Sequence, residues 1–169
     1  TKLFQMPKLS YVGNANQNND ALMTFLAKGR MAWEACAPNT GSKLWLRHEA
    51  AADVEAVVWA DMTADQRAEQ NANKTVEVDM SRFEITVHNK LIGETIAKLP
   101  DTIYRDCDRF MRRVGDITLA DALFRVFKKF KILNVKDRLS IINALVPESC
   151  TNVNLYSALS EIQERVTEW

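Results

Sequence analysis

Two consecutive stretches between Pro100 and Leu133 constrain this chain most, because each separates an apolar side from a cationic one at a helical repeat. In the first, Ile103, Cys107, Phe110, Met111 and Val114 share one narrow arc. Arg105, Arg109, Arg112 and Arg113 share the opposite arc. Asp101 after Pro100 supplies an N-cap and Gly115 a C-terminal stop, so the spacing predicts a helix over 102–114. Thr118 with Asp121 opens the second, over 119–132, with Leu119, Leu123, Val126, Phe127 and Phe130 as its inward stripe. Arg125, Lys128, Lys129 and Lys131 point away from that stripe. Two such helices need other elements to cover their apolar sides.

The rest of the chain supplies candidates. Residues 1–19 read as an N-terminal arm, with the polar, turn-rich run Gly13 to Asn19 unsuited to burial. Residues 20–169 read as a single, mainly helical domain. Asp20 caps a predicted helix running to Cys36, with Leu22, Phe25, Leu26, Gly29, Trp33 and Cys36 on one face, and Pro38 ends it. Asn39 to Ser42 reads as a loop. A helix from His48 onward places Ala50, Val54, Val57 and Val58 at helical spacing. Thr63 with Gln66 forms a capping box for a short polar helix. Val76 and Val78 alternate with acidic residues, and Phe83, Ile85 and Val87 alternate with polar ones. That period of two, across Met80–Ser81–Arg82, predicts a β-hairpin. Two more helices are expected over 135–146 and 153–168. The fold class is therefore mainly α (α+β), a helical bundle with one small β-hairpin.

Composition excludes several functions. Hydrophobic content of 47% and charged content of 26% are those of a soluble globular domain. No apolar run is long enough to span a membrane, and a cytoplasmic location is expected. Cys36, Cys107 and Cys150 are widely spaced and odd in number, which fits neither a disulfide framework nor a zinc site. His48 and His88 stand outside any metal-ligand spacing and read as structural. The five glycines are scattered, so there is no phosphate loop, and Cys107 faces inward and is inert. No catalytic residue, metal or cofactor is assigned, and the expected function is non-enzymatic.

Net charge is zero, yet residues 102–138 carry ten basic and five acidic groups while 49–101 carry five and eleven. A local cationic surface attracts polyanions whatever the distant charges are. Guanidinium forks suit phosphate oxygens. The candidate nucleic-acid-binding set is accordingly Arg105, Arg109, Arg112, Arg113, Arg125, Lys128, Lys129 and Lys131, with Phe124. Phe124 falls on the outward arc between Lys128 and Lys131, where an exposed ring would stack on a base. The alternative is that it packs under a neighbouring helix. A DNA-reading helix-turn-helix is disfavoured, because Asp116 and Asp121 occupy positions such a motif must bury. An interfacial membrane helix is disfavoured by the ordinary bundle-type stripe.

The expected role is a nucleic-acid-binding or nucleoprotein-type assembly protein that holds phosphate backbone. The alternative is an interaction module whose basic face meets an acidic protein surface or a neighbouring copy. Leu155, Leu159, Ile162, Val166 and Trp169 recur at alternating spacings of four and three, a heptad seam that points to a homo-oligomer interface.

Overall fold

A computed structural model describes residues 4–70 and 74–131 of the protein, and six helices make up the regular structure of those residues. They are α1 (Ala15–Cys36), α2 (Gly41–Ala60), α3 (Ala64–Glu69), α4 (Arg82–Ala97), α5 (Asp101–Val114) and α6 (Leu119–Phe130). All fall within one compact unit, Thr1–Lys131. The helices expected over 135–146 and 153–168, and the seam of Leu155, Leu159, Ile162, Val166 and Trp169, lie outside the described residues.

α6 is the axis of the bundle. It packs most extensively on α2 and also meets α1, α4 and α5. Its buried residues run almost all round the helix: Leu119 through Phe124, then Val126, Phe127 and Phe130. α2 reaches it along Leu44, His48, Ala52 and Ala56. That buried stripe is not the one the valines predict, since Val54, Val57 and Val58 are exposed. Alanines let the two helix axes approach closely, whereas valines on that side would hold them apart. Trp33 of α1 and Trp45 of α2 are both fully buried and set edge to face at 5.6 Å. The Trp33 indole N–H donates to Thr95 Oγ1 at 3.0 Å, which satisfies the one polar atom this large ring brings inside.

Local chemistry explains the element boundaries. α1 begins at Ala15, ahead of Asp20, because Asn14 accepts N–H bonds from Asn16 and Gln17. Asn18, in the run judged unsuited to burial, is buried and accepts the Val12 N–H at 2.7 Å. At the α1–α2 corner Glu34 accepts the N–H groups of Asn39 and Ser42, which holds its carboxyl below the usual range. The corner is tight enough that a Cβ on Gly41 would collide with the Trp33 carbonyl, so helix starts where a loop is expected. α5 ends as predicted at Gly115, whose φ of 94° only glycine adopts without strain.

The predicted hairpin is absent, and no strand occurs among the described residues. Residues 75–81 form a single connecting segment in which the Val76 N–H donates to the Asp121 carboxylate at 2.6 Å rather than to a partner strand. The second supposed strand is α4. Ser81 and Glu84 form a reciprocal capping box that starts it. Phe83 and Ile85 are exposed, and the buried positions Val87, His88, Leu91 and Thr95 follow helical spacing. The fold is mainly α without the β element.

Candidate nucleic-acid interface

The cationic side of α5 forms as its spacing predicts. Ile103, Cys107 and Phe110 are buried, while Arg105, Arg109, Arg112 and Arg113 are exposed. Burial pushes the Cys107 thiol up to about 12, which keeps it protonated and unreactive. Two of the arginines are paired along the helix. Arg112 meets Asp108 at 2.9 Å and Arg109 lies 3.8 Å from Asp106. Such exposed pairs contribute only about 0.3–0.5 kcal/mol and yield readily to a stronger anion.

α6 differs from its expected form. Its cations do not project from an open face; they leave a helix enclosed on nearly every side by bending their stems over aromatic rings. The Arg125 guanidinium lies 4.4 Å from the centre of the Phe110 ring and donates to the Asp121 carbonyl at 2.9 Å. Lys128 sits 4.6 Å from the Phe124 ring and 5.5 Å from Trp59. Lys129 lies over Tyr11, and Lys131 lies over Phe127 while pairing with Asp53 at 2.6 Å. Phe124 itself is 6% exposed, so it is a core residue. Its ring is therefore not free to stack on a base. The helical wheel assigned it outward because it assumed α6 to have a solvent side.

Four of the candidate residues converge. Arg109 and Arg113 from α5, with Arg125 and Lys128 from α6, line a recess of about 240 Å³ together with Asp106. Asp106, Arg109 and Arg113 follow at i, i+3 and i+7, which places them in one line along α5. Arg125 and Lys128 are three apart on the facing helix. Burial, and then the neighbouring Arg125 charge, hold the Lys128 ammonium below its ordinary value. Arg105, Arg112, Lys129 and Lys131 are not part of this recess. Sequence reading missed Asp106, which offsets part of the positive charge, and the rings that steer the α6 cations.

The two histidines are structural, in a way their positions along the chain did not show. Both are fully buried, with rings stacked at 5.2 Å and 24°. His88 Nε2 accepts the Leu119 N–H at 2.9 Å, and His48 Nδ1 accepts the Ala120 N–H at 3.1 Å. Thr118 Oγ1 takes the third N–H of the turn, from Asp121, at 3.1 Å. A helix start buried in the bundle cannot leave these donors to water, and three side chains satisfy them. Asp121, the aspartate counted against a helix-turn-helix because that motif must bury its position, is itself buried and accepts the N–H groups of Val76 and Thr118. Among the described residues no cluster of histidine, cysteine or carboxylate side chains could hold a metal ion, and no helix is long and apolar enough to cross a membrane. Comparison of the chain with protein-family models, with curated proteins and with solved structures found no match.

Proposed function

We propose that the chain binds the phosphate backbone of nucleic acid at the recess between α5 and α6, without catalysis, as a nucleoprotein-type assembly protein. The convergence of Arg109, Arg113, Arg125 and Lys128 on one concavity carries this reading. Guanidinium groups from two helices reach phosphate oxygens from different directions, which a flat charged face cannot do. With Phe124 withdrawn into the core, the site reads charge rather than base identity.

Arg109→Ala with Arg113→Ala tests it, since both side chains are exposed and their removal spares the core. Binding to single- and double-stranded RNA and DNA should weaken on all sequences alike. The slope of log affinity against log salt should fall by about 0.7–0.9 for each phosphate that is no longer neutralised. Equal binding by the double variant and the parent would exclude the recess. A second reading, an assembly module that receives a carboxylate of an acidic partner, is favoured by one observation: Asp106 already sits among the four cations. Under it, an acidic protein surface would compete where nucleic acid does not.

A further inference from the structure

We propose that His48 and His88 together form an acid-sensitive latch at the first turn of α6, one that holds only while both rings are neutral. The geometry dictates the protonation of each ring. A backbone N–H can only donate, so His48 Nδ1 and His88 Nε2 must be bare acceptors. The remaining proton of His48 is then on Nε2, facing Met80 Sδ at 3.3 Å. That of His88 is on Nδ1, donating to Asn89 Oδ1 at 3.1 Å. Every ring nitrogen has an assigned partner, and neither ring can rotate without exposing an orphan donor in the core.

A second proton on either ring would point N–H at N–H. It would also place positive charge at the positive end of the helix dipole and beside a stacked imidazole. The surroundings oppose this only in part. Arg47, on the same helix as His48, adds repulsion, and Glu84 on α4 partly counters it. The Asn89 side chain, then Asp116 just before α6 and Asp121 in its first turn, favour charge on His88. From α1 the uncharged Trp33 ring lies 5.9 Å from His88. The balance is against protonation. Burial first, and then His88 and Arg47, push His48 down to about 3. Burial likewise lowers His88 from its ordinary value.

The unfolded chain takes up protons on both histidines near the ordinary 6.5, and the folded chain does so only at lower pH. Stability is therefore complete above that value and falls as the pH drops through the interval below it. α6 carries Arg125 and Lys128, so opening its first turn also loosens the helix that bears half of the basic recess. The latch itself does not depend on what the recess binds.

His48→Asn with His88→Gln keeps a neutral acceptor near each bare nitrogen and removes the titration. Urea unfolding of the intact chain from pH 7 to pH 4 should show the parent's unfolding constant rising more steeply than the variant's. The excess should reach about tenfold per pH unit, one proton's worth for His48, and more wherever His88 also differs between the folded and unfolded chains. Parallel curves would overturn the latch. Should the variant not fold, long-range proton–nitrogen spectra of the parent's imidazoles decide the matter. Both rings should stay neutral, in the stated tautomers, until the folded signals disappear. A ring that titrates near 6.5 while the Leu119 and Ala120 amides hold their positions would refute it.

Discussion

At its first turn α6 presents three backbone N–H groups to two buried histidines and the half-buried Thr118, whereas further along Arg125, Lys128, Lys129 and Lys131 run outward over aromatic rings. The first end leaves no freedom. Its acceptors come from α2, α4 and the residue just before the helix, and each is tied by a second hydrogen bond or a stacked ring. The other end fixes only the stems. The charged heads stay partly in water, where they can exchange a ring or a carboxylate for another anion. Polar groups that cannot reach water are specified by geometry, and those that can are left available for binding.

Substitutions along the helix should separate the two regimes. The largest loss is expected from Phe124→Ala, which empties a buried ring site and should cost about 3–5 kcal/mol in denaturant unfolding. A near-neutral result would return Phe124 to the surface and remove the distinction. Asp121→Ala comes next, because it leaves the buried Val76 N–H without its acceptor and weakens the capping box. Stability should fall by about 1.5–3 kcal/mol, and amide exchange at Val76 should accelerate. Lys129→Ala removes only an exposed cation over Tyr11, so the change should be about 0.5–1 kcal/mol. Arg112→Ala, with its pair to Asp108 in open solvent, should shift the unfolding midpoint least, by less than about 0.5 kcal/mol. A larger effect from Arg112→Ala than from Asp121→Ala would invert the comparison.

Much of the helical framework was legible because capping chemistry is local. Thr63 with Gln66, Thr118 with Asp121 and Gly115 all act where the sequence places them. The same signal was present in Ser81 and Glu84, but the alternation of Phe83, Ile85 and Val87 outweighed it and produced a hairpin that does not exist. A period of two over three residues is weaker evidence than a reciprocal cap, since two of those three side chains are simply exposed. The basic recess was legible as a set of residues and not as a shape. Helical wheels place Arg109 and Arg113 on one face and Arg125 and Lys128 on another, but cannot show that the two faces meet. Nor could a wheel reveal that α6 is enclosed, because that depends on how small Ala52 and Ala56 are on the helix beside it. His48 and His88 lie far apart in sequence, and their shared role is created entirely by packing.

The segment before α1 has a consequence for the order in which the molecule assembles. Met6 and Leu9 are buried, the Leu9 N–H donates to the Lys98 carbonyl at 2.9 Å, and the Tyr11 ring meets Phe130 edge-on at 5.3 Å. These interactions join residues from opposite ends of the described chain, so forming them early would close a very long loop with little else in place to compensate. The α1–α2 corner, by contrast, needs only neighbours in sequence. Pulse-labelled hydrogen exchange during refolding should therefore protect the amides of α1 and α2 before that of Leu9. The leading segment then acts as a strap drawn across a body already built, and its amide marks the moment at which folding finishes.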